Sequence, residues 1–257
     1  MSDVLHVTRP EAGICELRMD DAANRNRLTE ALVRGLMTAF ASLSADPGVK
    51  VVLLKGRADV FCAGATLESL RDVAHDRVRV KDVELPATVV GCPVPVVAAI
   101  EGHAVGGGLA LALCCDIQVA AEESRYGTNF AELGFTPGMG TTTLLPLAVG
   151  HGRASEMMMA ARFHKGREIA GTGLFTHVVR RADVAGLALD IARNIARKDR
   201  VVIELLKETL GAPKRAGLQQ AISREHLMHQ ICFQRPETLR AIEENYLGDS
   251  GRPERER

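Results

Sequence analysis

Chemistry is concentrated in Gly102-His103-Ala104-Val105-Gly106-Gly107-Gly108, which runs into the apolar stretch Leu109-Ala110-Leu111-Ala112-Leu113. Successive glycines at the mouth of a helix let backbone N–H groups approach a bound oxygen, because no Cβ intervenes. A second turn of small residues, Phe61-Cys62-Ala63-Gly64-Ala65-Thr66, offers another N–H. No Asp or Glu lies between Gly102 and Ala112, so an anion binder here has no adjacent carboxylate base.

These turns need elements to carry them. Gly13 to Met19 alternates apolar and polar residues, as a half-buried strand does. Thr29 reads as an N-cap, and Leu32, Val33, Leu36, Phe40 and Leu43 fall at helical spacing before Asp46-Pro47-Gly48 stops the helix. Val49 to Lys55, Pro93 to Ile100 and Ile117 to Ala121 read as buried strands, the second feeding the glycine turn. A charge-rich helical stretch is expected from Leu67 to about Lys81. Pro137-Gly138-Met139-Gly140 marks another helix start, continued by Leu144 to Val149. Four amphipathic helices are expected near the end, over Asp183–Arg197, Arg200–Leu210, Gly217–Phe233 and Pro236–Tyr246. The predicted class is α/β, with a core over 1–182, a helical subdomain over 183–248 and a polar tail over 249–257.

Composition narrows the function. Of the 257 residues, 46% are hydrophobic and 25% charged with zero net charge, which suits a globular protein and favours neither nucleic acid nor an anionic membrane. No apolar run approaches the ~18 residues of a membrane span, and the first residues lack signal-peptide character, so a cytoplasmic location is expected. The six cysteines match neither a zinc site nor a disulfide framework and read as reduced, packed thiols, Cys62 among them.

Pro95-Val96-Val97-Ala98-Ala99-Ile100-x-Gly102-x-Ala104-x-Gly106-Gly107-Gly108, Cys115-Asp116 and Gly134-x-x-Pro137-Gly138-x-Gly140 together resemble the crotonase (enoyl-CoA hydratase/isomerase) superfamily, and the 61–65 turn is similar to its other signature. The resemblance spans roughly residues 5 to 246. It implies a spiral of ββα units, a C-terminal helical trimerisation region, a homotrimer or dimer of trimers, and an acyl-thioester substrate. It also implies an oxyanion hole from the N–H groups of Ala65 and Gly107, where losing one donor typically costs about 3–4 kcal/mol. Ala63, Gly64, Thr66 and Gly106 would surround the bound thioester.

The two glutamates of hydratases would fall on Ala110 and Phe130, neither of which can move a proton. An isomerase acid would fall on Gly138. Glu132 reads either as a substitute or as a surface carboxylate. Tyr126-Gly127-Thr128-Asn129-Phe130, Gly102-His103 and Met228-His229-x-x-x-Phe233 look like the decarboxylating homologues of polyketide β-branching cassettes, although Ala65 departs from their Gly-Gly-Thr turn.

That resemblance implies loss of CO2 from a 3-methylglutaconyl-type thioester on an acyl carrier protein. No metal or cofactor is expected beyond the phosphopantetheine or coenzyme A arm that carries the substrate. His229 would be the acid that reprotonates the dienolate, with an ordinary imidazole pKa near 6.5 suited to the task. His226 lies one turn earlier. Arg79 or Lys81 would hold the substrate carboxylate, and Arg25 and Arg27 would border the carrier's phosphates. His103 reads as a hydrogen-bond donor behind the site. A CoA-linked hydratase or isomerase, and a non-catalytic homologue that binds partners, are the alternative readings.

Overall fold

A computed structural model describes residues 4–75 and 80–248, without the side chains of 80–83, 247 and 248. Three strand pairs organise it. In the first unit β3 (Val51–Lys55) is followed by β4 (Val60–Cys62) and α2 (Leu67–Ala74). The second contains β5 (Val96–Ile100), β6 (His103–Val105) and α4 (Gly107–Cys114). The third contains β7 (Ile117–Ala121), β8 (Arg125–Gly127) and a short 3-10 turn over Ala131–Leu133. The first strand of each unit joins one sheet and the second joins another, so the chain climbs as a spiral.

The larger sheet has the order β1-β2-β3-β5-β7-β10, with β1 (Leu5–Glu11) and β2 (Ile14–Met19) an antiparallel hairpin and β10 (His177–Val179) at the far edge. Pairing from β2 to β10 is parallel, for example Leu54↔Ala98 and Ala98↔Gln118. The smaller sheet has the order β4-β6-β8-β9, with β9 (His164–Lys165) antiparallel to β8.

Both faces of the larger sheet are covered, which is why its strands read as continuous apolar runs. Val51, Leu53, Val97, Ala99 and Val119 pack with Val184, Ala188 and Ala192 of α8 (Arg181–Ala196). Val52, Leu54, Val96, Ala98 and Ile100 face the main core with Leu32, Leu36 and Phe40 of α1 (Glu30–Ser44). Thr29 caps α1 as expected, accepting the Leu32 N–H at 3.2 Å.

The helical readings need two corrections. The stretch expected from Leu67 to Lys81 ends as α2 at Ala74, and a separate α3 (Val80–Val90) follows. The helices expected over Arg200–Leu210 and Gly217–Phe233 form one 34-residue α9 (Arg200–Phe233) running through Pro213. Anchors lie on both sides of the proline: Lys207 pairs with Asp116, and Lys214 donates to the Leu113 and Cys115 carbonyls at 2.9 and 2.7 Å. The remaining helices are α5 (Thr141–Val149), α6 (His151–Ala160), α7 (Gly166–Ile169) and α10 (Pro236–Gly248). Among the described residues, no helix is long and apolar enough to cross a membrane.

Candidate active site

Parallel pairing in the smaller sheet brings the chemistry together. Cys62 pairs with Ala104 and Val105 with Gly127, so β4, β6 and β8 release their chains side by side. Ala65, Gly107 and Phe130 follow those three strand ends. The turns touch: a Cβ on Gly64, at φ +83°, would lie 2.8 Å from the Val105 oxygen and 3.3 Å from the Gly107 nitrogen. Gly106 takes φ +53°, which only glycine enters readily. A Cβ on Gly108 would fall 2.0 Å from the Cys62 oxygen, so that glycine permits the backbones to close.

Among the described residues, neither the Ala65 N–H nor the Gly107 N–H donates to a protein acceptor. Gly107 opens α4, whose first N–H groups have no partner inside the helix. The carbonyls of the same two peptides are engaged. Gly64 O accepts from Leu28 N at 2.8 Å, and Gly106 O from Ala110 N at 3.0 Å, which polarises each free N–H.

Two cavities meet at these residues, and Ala65, Gly107, Phe130 and Phe135 line both. One, of about 380 Å3, is walled mainly by apolar side chains including Leu28, Leu70, Val73, Leu85 and Met139. The other, of about 270 Å3, has Arg25, Arg27, Ala63, Gly64, Gly106 and Asn129 in its wall, with Asn245 and Tyr246 from α10. Thr66 and Ala110 line neither. Thr66 is spent capping α2, in a box with Ser69. Ala110 is fully buried one turn into α4. Glu132 is exposed and lines neither cavity, because the 3-10 turn rotates it away from Phe130. Arg79 lies outside the described residues, and of Lys81 only the backbone, in α3, is described.

His229 reaches the apolar cavity from α9. Its Nε2 donates to the Thr136 carbonyl at 2.8 Å, and its ring stands edge-on to Phe135 and Phe233. Gly138 makes room: a Cβ there would sit 3.0 Å from His229 Cε1. The expectation of an ordinary imidazole is corrected. Burial pushes His229 below its usual 6.5, against the opposing pull of the Thr136 carbonyl and the Glu225 charge. His226 lines the same cavity but is exposed.

The cavity is also not free of carboxylates, as the sequence around the glycines suggested. Glu225, 2% exposed, lines it from α9. Its Oε2 accepts from Gly140 N at 2.7 Å, and its Oε1 from Thr142 N at 2.9 Å and Thr142 Oγ1 at 2.7 Å. The charge therefore rests on the N-terminus of α5, where the helix dipole favours it. The one sequence signal for Glu225 is its i, i+4 spacing from His229.

Two smaller expectations also resolve. His103 accepts at Nδ1 from the Arg125 N–H at 2.8 Å, so at that nitrogen it is an acceptor and not a donor. Cys62 is fully buried, and burial pushes its thiol up to about 12, which makes it a packing residue.

The structure is thus a spiral of strand pairs whose two small-residue turns, at Ala65 and Gly107, meet beside an apolar cavity. The enoyl-CoA hydratase/isomerase family matches residues 9–245, and the chain belongs to that family, the crotonases. It is 32% identical over 243 residues to the bacillaene synthase decarboxylase PksI of Bacillus subtilis (strain 168), covering 95% of this chain and 98% of that one. The solved ECH2 decarboxylase domain of CurF from Lyngbya majuscula superposes with a TM-score of 0.87 at 33% identity, over 94% of this chain and 99% of that one. Human mitochondrial methylglutaconyl-CoA hydratase is 34% identical over 212 residues, 79% of this chain and 62% of that one. The chain is thus an enzyme, a lyase of the crotonase family, close to decarboxylases of polyketide assembly.

Proposed function

We propose that the protein removes CO2 from a 3-methylglutaconyl-type thioester carried by an acyl carrier protein during polyketide β-branching. One observation carries this reading: the N–H groups of Ala65 and Gly107 donate to no protein acceptor among the described residues, and both residues line an apolar cavity, while the resemblance puts the family's water-activating glutamates at Phe130 and the buried Ala110. The likeness to PksI over nearly the whole chain supports it.

The thioester oxygen would sit between the two N–H groups. As the C–CO2 bond breaks, its electron pair enters the conjugated system and charge collects on that oxygen, where fixed donors stabilise it. No base is needed, and the thioester itself is the electron sink, so no other cofactor enters. A free carboxylate near the leaving group would oppose binding by about 4 kcal/mol at about 4 Å and an effective dielectric near 20. Glu225 is restrained from that role by its three hydrogen bonds. Protonated His229 then delivers a proton to carbon from Nδ1, keeping its Nε2 bond to Thr136. The acyl group fills the larger cavity. The carrier arm runs through the smaller one, past Arg25, while Arg27 is engaged with Ala65 O.

The exposed stripe of Val201, Val202, Leu205, Leu206 and Leu210 on α9, each 51–76% exposed, supports assembly as a homotrimer or dimer of trimers. A sedimenting species of one chain's mass would overturn that part. The activity is tested by mass spectrometry of a 3-methylglutaconyl carrier protein after incubation. Loss of CO2 is expected, whereas gain of water, or brisk hydration of crotonyl-CoA, would make the enzyme a hydratase.

A further inference from the structure

The Ala63-Gly64-Ala65 turn carries no side chain large enough to hold its own backbone in place. Its orientation must come from backbone hydrogen bonds. Ala63 N donates to Arg25 O at 3.3 Å, Leu28 N donates to Gly64 O at 2.8 Å, and the Thr66–Ser69 box fixes the far side. The Ala65 carbonyl receives two donors. Arg27 Nη1 lies 3.1 Å away and the Tyr246 hydroxyl 2.9 Å away.

The two donors come from opposite ends of the chain and support one another. The Arg27 guanidinium carbon lies 4.5 Å from the centre of the Tyr246 ring, over its face, a favourable cation–π placement. The phenol is held in turn by α10. Arg71 of α2 pairs with Glu243 at 2.7 Å, and Thr238 Oγ1 donates to Gly134 O at 3.0 Å. Phe233, Ile242 and Tyr246 also pack into the apolar cluster that contains Phe130 and Phe135.

We propose that Tyr246 and Arg27 are positioning residues that hold the Ala65 N–H in line with that of Gly107 by clamping the shared Ala65 carbonyl. The proposal rests on the reading of Ala65 as a thioester-oxygen donor. Through the clamp, α10 completes a site whose donors lie in the core, and neither side chain needs to touch the substrate. Small misplacement of a donor is expensive because transition-state stabilisation depends on donor geometry.

The test uses Tyr246→Phe, which deletes one hydroxyl and keeps the ring, and Arg27→Gln. The substrates are 3-methylglutaconyl carrier protein and the same acyl group on N-acetylcysteamine, which lacks most of the arm. With both, Tyr246→Phe should lower kcat about tenfold with KM unchanged, a fraction of the 10²–10³ typical for loss of a whole donor. The Ala65 amide signal in a 15N–1H spectrum should also move, with or without substrate, while the melting temperature holds. A loss confined to KM with the carrier-borne substrate would make Tyr246 an arm contact and overturn the clamp. So would an Ala65 amide signal unchanged in both variants. If the wild-type enzyme releases no CO2, the functional reading fails, and the amide signal alone still decides whether the clamp exists.

Discussion

The Lys207 ammonium sits 2.6 Å from both carboxylate oxygens of Asp116, and one of those oxygens also accepts the Val96 N–H at 2.8 Å. The pair joins α9 to the start of β5 and to the end of α4, the helix that begins at Gly107. The Lys207 side chain is 4% exposed, so Asp116 takes the place of water as its partner.

Removing Lys207 leaves Asp116 without its counter-charge in a shielded position. Lys207→Met should cost about 3 kcal/mol, the low end for breaking a buried pair. Asp116→Asn in the same chain should recover part of that loss, because an amide oxygen still accepts from Val96. Urea denaturation measures both, and a Lys207→Met variant as stable as the parent would show the pair to be unimportant.

Gly107→Pro removes one N–H at the first position of α4, where proline is tolerated by the helix. A 10²–10³-fold fall in kcat is expected, equivalent to about 3–4 kcal/mol. Circular dichroism should match the parent. Turnover within a few fold of the parent would exclude Gly107 as a donor.

The pH profile should carry the signature of His229. Its acid form is the one that donates, and burial holds its pKa below 6.5. The rate should therefore fall as pH rises through that lowered value and be well below its plateau at neutrality. His229→Gln should remove this limb along with most of the turnover. The sign for stability is opposite. A histidine kept neutral by burial costs stability as pH falls from about 6.5 through its folded pKa, because the unfolded chain binds the proton more readily. Chemical denaturation at pH 7.5 and 5.5, parent against His229→Gln, separates this contribution.

Glu225→Gln tests the carboxylate at the α5 terminus. It removes a charge that favours protonated His229, so the imidazole should titrate at still lower pH in an NMR titration. It also replaces one acceptor oxygen with an NH2 group facing Gly140 N or the Thr142 donors. A stability loss of about 1–3 kcal/mol is expected from the unsatisfied donors. An unchanged His229 titration would show that the two residues do not sense each other.

Much of the site was legible because its demands are local. Gly64 and Gly106 need positive φ and Gly108 needs room, so their identities expose the two turns before any fold is known. The buried strands were legible as runs such as Val51 to Leu54 for the reason that sheet has two covered faces. Other features carried no such mark. The edge strand β1 is exposed along nearly its whole length, so it lacks the apolar alternation that reveals strands. Pro213 signals a break, yet α9 runs through it.

By itself the sequence determined the two glycine turns and the absence of an acid at Ala110 and at Phe130, since these depend on residue type at one position, while the spiral was legible only through the family resemblance. Only the tertiary structure decided which distant groups complete the site. Glu225 reaches the cavity, Tyr246 and Arg27 meet on the Ala65 carbonyl, and burial lowers the His229 pKa. The physical reason is that a hydrogen bond from a side chain to a backbone atom far along the chain leaves no periodicity or spacing behind. The environment that shifts a titrating group is likewise made by packing, which no single segment encodes.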